Sequence, residues 1–287
     1  MRKMLFAALM VLASIALTRP AWAAISCTAP SSTGFSTAYT ATGVVPNVSQ
    51  GTVSFNCTRS VASDATTVLL KANNGIHASG VQNRTQSGSR RILYEAYKDS
   101  ACVALWTSLV VADFWVLNLL NILGAQPVSV SYWGCITVAG QVTSAGSSTD
   151  TVTMQVVANT ALRPALSVTS TFPVSVTTPA TLAITTAPGN LVFNYTAFGS
   201  AVNVGTTFVT LGTLNLPYTM SLDAYSGVVS GLNYTLTLDS QTSPVRGTGT
   251  GAAQTHTING LMPAGQAGTC TTGSCVSSQV RTLTITY

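Results

Sequence analysis

Charge is what this sequence has least of. Of its 287 residues only 12 are basic and 7 acidic, 7% in all, where soluble domains usually carry about 25%. That leaves no basic stripe or patch with which to hold a nucleic-acid backbone. Arg84, Arg90 and Arg91 lie close together, but in a polar Gly- and Ser-containing stretch that reads as a solvated loop. Histidine is nearly absent too. His77 and His256 stand alone and no Cys-x-x-Cys occurs, so the donor spacing for zinc is missing and no metal or cofactor is expected. There is no Gly-x-Ser-x-Gly and no thiol left over for a Cys/His pair. Gly247-Thr-Gly-Thr-Gly251 is followed by neither the lysine nor the helix of a phosphate loop. The carboxylates Asp64, Glu95, Asp99, Asp113, Asp150, Asp223 and Asp239 are scattered and mostly sit at turns. The sequence therefore argues against an enzyme.

Serine and threonine supply the polar surface instead, and hydrophobic residues reach 46%, enough for a sizeable core. Low charge with ample threonine suits an extracellular β protein, because threonine favours strands and its hydroxyl is solvated without charge. The N-terminus has the layout of a secretory signal: Arg2 and Lys3, an apolar run over 4–17, then Ala21-Trp22-Ala23 as a small-x-small cleavage site. Residues 1–23 are read as that signal, with a mature start at Ala24. Its removal takes Arg2, Lys3 and Arg19 and leaves nine basic side chains against seven acidic ones, about +2. No later run reaches the roughly 20 apolar residues of a membrane-spanning helix.

All six cysteines follow the signal: Cys27, Cys57, Cys102, Cys135, Cys270 and Cys275. An even number in an exported chain implies disulfides. Six cysteines permit 15 pairings, of which neighbour pairing (Cys27–Cys57, Cys102–Cys135, Cys270–Cys275) is the simplest.

Short alternating runs at 51–57, 66–71, 91–97, 127–133 and 149–157 are separated by turn residues, and a second set follows at 191–195, 218–222, 232–238, 255–258 and 281–287. Many short strands at this spacing predict an antiparallel sandwich or barrel. Residues 158–170, with Arg163-Pro164 and then Phe172-Pro173, read as a linker. The expected organisation is thus a first domain at 24–160, a linker at 161–171 and a second domain at 172–287. The two halves resemble diverged copies: 67–75 matches 219–227, 92–100 matches 232–240, and 134–141 matches 260–266. From Ser100 to Gly134 is 34 positions but from Ser240 to Gly260 only 20, so the first copy carries 14 more.

Inside that interval lies the greasiest stretch of the mature chain, Phe114, Trp115, Val116, Leu117, Asn118, Leu119, Leu120, Asn121, Ile122 and Leu123. Its counterpart in the second copy is Gly247-Thr-Gly-Thr-Gly-Ala-Ala, a small polar loop. A core strand should recur in both copies; an apolar run present in one reads as an exposed finger for surface contact, through Phe114, Trp115, Val116, Leu117, Leu119, Leu120, Ile122 and Leu123. Trp106 and Trp133 flank it and are expected to pack inward.

The bracketing Cys27 and Cys57, the strand at 93–100, the Gly-x-x-x-Ala-Gly-Gln turns and the closing Thr-x-Thr-x-Tyr strand resemble the spore coat protein U domain, the subunit module of archaic chaperone–usher pili. The resemblance covers nearly all of the mature chain, twice, and is strongest to two-domain tip adhesins. It implies an all-β fold of two immunoglobulin-like Greek-key β-sandwich domains in tandem, the C-terminal one incomplete. A missing strand would be supplied in trans by β-augmentation, first from a periplasmic pilus chaperone and then from a neighbouring pilin subunit, at an outer-membrane usher. Leu283, Ile285 and Tyr287 would border the groove that receives it. Only Ala24, Ile25 and Ser26 precede Cys27, too few for a donor strand, which would place the subunit at a tip. The implied function is a cell-surface pilus adhesin that attaches to abiotic or host surfaces and supports biofilm formation. The alternatives are a structural pilin or coat subunit without a binding site of its own, or a lectin-like receptor binder. Against the family pattern, the second half lacks the bracketing cysteine pair.

Overall fold

The computed structural model describes residues 25–41, 43–62, 66–110, 112–158, 166–271 and 273–287. The expected signal at 1–23 and its cleavage site lie outside them. Among the described residues there is no helix, and none of the chain there forms a membrane-crossing one. Strand and turn follow the alternating sequence pattern, because a pleated strand sends successive side chains to opposite faces.

The first sandwich runs through β1 (Ser26–Cys27), β2 (Ser31–Ser32), β3 (Phe35–Ala38), β4 (Asn47–Arg59), β5 (Thr67–Ala72), β6 (Asn83–Ser87), β7 (Arg90–Tyr97), β8 (Trp115–Asn118), β9 (Gly124–Ile136), β10 (Gly146–Ala158) and β11 (Ser167–Thr178). One layer is ordered β1-β4-β9-β7, with β2 beside β4. The other is β3-β11-β10, with β5 beside β10 and β8 beside β5. The β6–β7 hairpin links the two layers. Val53, Phe55 and Cys57 of β4, and Val152, Met154 and Val156 of β10, point inward and are buried. Between the layers stand Phe35, Tyr94, Trp106, Tyr132 and Phe172, with Trp106 stacked on Phe172 at 6.0 Å. The Trp106 indole N–H donates to the Leu70 carbonyl at 3.1 Å, so the large aromatic is buried with its polar atom satisfied. Trp133 differs from expectation. It alternates with the buried Tyr132 and Gly134 on β9 and is left half-buried on the outer face.

The second unit comprises β12 (Leu182–Thr186), β13 (Val202–Gly212), β14 (Pro217–Leu222), β15 (Ser226–Val229), β16 (Leu232–Leu238), β17 (Val245–Thr248), β18 (Ala253–Met262) and β19 (Leu283–Thr286). Its layers are β12-β13-β18-β16-β15 and β17-β14-β19. The fold is all-β, two immunoglobulin-like sandwiches in tandem. Where they meet, the Leu214 amide donates to the Thr143 carbonyl at 3.3 Å, and Ser144 bridges to Leu214.

The boundary lies later than the sequence suggested. Part of the expected linker, 161–165, is outside the described residues. The remainder from Ser167 on, together with the expected start of the second domain at 172, falls within β11. That strand pairs with β10 from Ser167 to Thr178 and places Phe172, Val174 and Val176 in the first core. Pro173 accounts for the difference. It sits just before the point at which β3 joins β11, from Val174 onward, where a missing N–H costs no ladder bond on that side.

The three disulfides join Cys27 to Cys57, Cys102 to Cys135, and Cys270 to Cys275, with Cα–Cα separations of 4.0, 6.3 and 6.0 Å.

Candidate functional site: an apolar loop and an open sheet edge

The greasy stretch divides in two. Trp115–Asn118 is β8, which pairs antiparallel with β5, Leu117 opposite Val68 and Trp115 opposite Leu70. In the second sandwich β17 holds the same place beside β14, Val245 opposite Met220. This half of the stretch therefore does recur, and the inference that it had no counterpart is corrected. Phe114 and Leu119 are buried, and Trp115 and Leu117 are half-buried against the core. A strand paired beside β5 turns alternate residues inward, here Trp115, Leu117 and Leu119, and Phe114 is covered separately, so these four are not the exposed contact residues. Phe114 also lies beneath the Lys71 ammonium, 4.8 Å from its ring centroid.

The other half is exposed. Val116 is 53% exposed on the outer side of β8, and Leu120, Ile122 and Leu123 are 67%, 54% and 60% exposed in the turn that enters β9. Two buried polar side chains fix that turn from beneath. Arg59, 1% exposed, donates to the Leu120 carbonyl at 3.2 Å and to Asn121 Oδ1 at 2.9 Å. Gln126, 4% exposed, accepts from the Leu120 amide at 2.7 Å and donates to the carbonyls of Leu120 and Ile122, each at 3.1 Å. The backbone is satisfied internally, so the apolar side chains are held outward rather than collapsing onto the core. Neither Arg59 nor Gln126 was singled out from sequence. A charged and an amide residue at inward positions of long strands were the available signal.

At the opposite end of the chain, β19 pairs with β14 along one edge, Leu283 opposite Leu222 and Ile285 opposite Met220. Among the described residues nothing pairs with its other edge. The first sandwich shows what belongs there. β10 is paired with β5 as β19 is with β14, Val156 opposite Leu70 and Ala158 opposite Val68. The far edge of β10 is then covered by β11, which in turn runs parallel to β3. The counterpart of β3 is the extended segment 191–195, where Leu191, Phe193 and Tyr195 alternate inward without a strand partner. The equivalence is fixed by matching contacts. The Gln141 amide donates to Tyr39 Oη at 2.6 Å and its side chain clasps both backbone groups of Leu93. The Gln266 amide donates to Tyr195 Oη at 2.8 Å and its side chain clasps both groups of Asn233. The slot between β19 and 191–195 is thus one strand wide.

The cores differ accordingly. Among the described residues the first holds 23 buried apolar side chains with 7 partly buried around them, and the second 10 with 10. Leu283 and Ile285 are half-buried and belong to the uncovered rim, while Tyr287 is 63% exposed.

One further cluster invites a catalytic reading. His256 Nδ1 lies 2.7 Å from Asp239 Oδ2, and its Nε2 lies 3.1 Å from Thr210 Oγ1 and 3.3 Å from Tyr218 Oη. Thr210 is fully buried, His256 is 8% exposed, and Phe208 stacks on the imidazole at 5.1 Å. A hydroxyl sealed in the core cannot meet a substrate, so the group is a hydrogen-bonded core network.

The sequence profile of the Spore Coat Protein U domain matches residues 12–155, half of the chain. The chain belongs to the spore coat protein U domain family. A search of curated proteins returns no match. Among solved structures, the chain is similar to the tip subunit CsuE of the archaic chaperone–usher Csu pili of Acinetobacter baumannii, seen in a pre-assembly complex with CsuC. Identity is 12% and the TM-score 0.45, over 91% of this chain and 100% of that one. It is also similar to the CupB6 tip adhesin from Pseudomonas aeruginosa, at 11% identity and a TM-score of 0.34, over 91% of this chain and 94% of that one. A third is the CssB subunit of colonization factor CS6 of enterotoxigenic Escherichia coli, complemented with a donor strand from CssA. It shows 15% identity and a TM-score of 0.31, over 52% of this chain and 97% of that one.

Proposed function

We propose that the chain is an exported pilus subunit whose second sandwich receives a β-strand from a partner and whose first sandwich attaches to hydrophobic surfaces. A periplasmic chaperone fills the slot beside β19 during transit, and a neighbouring pilin replaces it after delivery to an outer-membrane usher. The observation that carries the reading is the contrast between β10, covered on its far edge by β11, and β19, uncovered on the same edge among the described residues. An open edge beside a half-covered apolar core is a ready template for strand addition. Val116, Leu120, Ile122 and Leu123 supply the attachment patch. Large exposed apolar groups held outward by a buried polar scaffold favour contact with a hydrophobic abiotic or host surface, and hence biofilm formation. At a pilus tip the patch would face outward.

The test uses the exposed residues alone. Replacing Leu120, Ile122 and Leu123 together by Asp should abolish attachment of piliated cells to polystyrene while pili are still assembled. Unimpaired attachment would remove the adhesin role and leave a structural pilin or coat subunit. Separately, Leu283→Asp with Ile285→Asp should eliminate co-purification with the chaperone; retained co-purification would refute the strand-acceptor role.

A further inference from the structure

We infer that Arg281 makes the open slot selective for an incoming strand that carries a carboxylate at the position facing it. The inference rests on the strand-acceptor reading above and adds the chemistry of the strand that is accepted.

The first sandwich supplies the register. Leu283 opposite Leu222 corresponds to Val156 opposite Leu70, and Ile285 opposite Met220 to Ala158 opposite Val68. Two residues before Leu283 on the same face is Arg281, which therefore takes the place of Met154; Gln279 takes that of Val152. Met154 and Val152 are both fully buried in the closed sandwich. There β11 sets Ser170 opposite Met154 and Phe172 opposite Val152. A strand seated on β19 in the same way puts its Ser170 equivalent beside Arg281. The second slot thus has a cation where the first has a thioether.

Arg281 is built into the inner face, not waving from the rim. Its side chain is 20% exposed. Its Nε donates to Tyr234 Oη at 2.8 Å, one terminal nitrogen donates to the Ser226 carbonyl at 2.8 Å, and its guanidinium carbon lies 5.6 Å from the Tyr234 ring centroid. Gly227 makes the room: a Cβ there would stand 2.3 Å from a terminal guanidinium nitrogen and 2.5 Å from Tyr234 Oη. In the first sandwich Gly75, in the turn after β5, lies beside a carboxylate instead. A Cβ on Gly75 would stand 1.9 Å from Asp150 Oδ2, and Tyr94 Oη donates to that carboxylate at 2.7 Å. The equivalent tyrosines thus meet opposite charges: Tyr94 meets Asp150, four positions before Met154, and Tyr234 meets Arg281, in the place of Met154.

A guanidinium offers five N–H donors. Two are engaged at 2.8 Å, and the nearest carboxylate, Asp223 Oδ2, is 3.6 Å from the third nitrogen on a side chain 42% exposed. A seated strand strips water from the guanidinium. An apolar residue opposite would leave donors unmet and the charge weakly compensated, and a lysine would add repulsion. An Asp or Glu opposite supplies both acceptors and charge in the bidentate geometry arginine prefers.

The test presents the full chain with synthetic peptides of the β11 sequence, residues 167–178, bearing Ser, Glu, Leu or Lys at the Ser170 position, in competition against a fluorescent copy. The Glu peptide should bind tightest, at least about tenfold tighter than the Lys peptide, and in Arg281→Gln the four should fall within about twofold. On the unaltered protein, equal affinities or a preference for Leu would overturn the proposal while leaving strand acceptance intact. Binding of none of the peptides would overturn both. The unaltered-protein arm needs no substitution, so a folding defect in the variant cannot decide the outcome.

Discussion

Glu95 offers a test of the first sandwich that can be worked through in numbers. It lies on β7, half-buried, opposite Cys135 of β9, and its Oε1 accepts the Asn83 amide at 3.1 Å. Burial pushes its carboxyl from 4.5 up to about 7, against the smaller lowering by that hydrogen bond. The protonated form is thus favoured by folding. In the unfolded chain the group loses its proton near 4.5, in the folded chain near 7. Between these values the folded state binds the extra proton, so stability falls as pH rises through the window and levels off above it. The full separation corresponds to about 3.4 kcal/mol at 1.36 kcal/mol per pH unit; solvent reaching a half-buried group reduces this to about 2 kcal/mol. Glu95→Gln keeps the acceptor and removes the charge. It should be about 2 kcal/mol more stable than the unaltered protein at pH 8, with the advantage vanishing towards pH 4.5. Urea unfolding monitored by tryptophan fluorescence is the assay. Trp106, Trp115 and Trp133, the tryptophans beyond position 23, all lie in the first sandwich, so the second contributes no signal. A difference between the two proteins that stays constant from pH 4.5 to 8 would refute the argument.

Three further outcomes follow from the packing. Leu119→Ala should cost about 2–4 kcal/mol, because it empties a buried site, whereas Ile122→Ala in the exposed turn should stay within about 0.5 kcal/mol; both read out in the same urea titration. Asp150→Ala should cost about 3–5 kcal/mol, since it removes the acceptor for Tyr94 Oη and for the amides of Ile76, His77 and Thr151; accelerated hydrogen exchange of those amides is the direct check. Gly134→Ala should destabilise by about 1–3 kcal/mol, its Cβ landing 2.3 Å from the Phe35 ring. Gly260→Ala, meeting the tip of the half-buried Phe193 at 2.5 Å, should cost less, and calorimetric unfolding of the two variants compares a closed core with an open one.

Much of the fold was legible because alternation survives in long strands. The run 149–157 reads inward and outward as β10 does, and the Ala-Gly-Gln turns that pointed to duplication are the ones whose glutamines clasp equivalent strands in both copies. Alternation is weaker evidence where a run is short. Ten residues at 114–123, eight of them apolar, gave no period that could separate an edge strand from a turn, and the chain uses both: β8 as strand, 120–123 as turn. The extent of β11 was hidden by Pro173, because a proline in sequence signals a break and only the sheet shows which edge is free. The slot itself is a relation between β19 and 191–195, two segments nearly ninety positions apart, and no local pattern marks it. Arg281 could have been found sooner: a cation two residues before the alternating Leu283 and Ile285 is out of place on an inward face.

The pattern of covalent closure carries a consequence for how the chain matures. Each disulfide joins cysteines that are neighbours in order, separated by 30, 33 and 5 positions. The first two lie wholly within the sandwich that β11 completes at Thr178, and the third within the second unit. A chain delivered N-terminus first can therefore oxidise as it emerges, each bond available before the next pair appears, and without any cysteine waiting for a partner across the junction. The first sandwich can be folded and locked while the second is still being delivered. The half whose closing strand has an open edge among the described residues is also the half that arrives last.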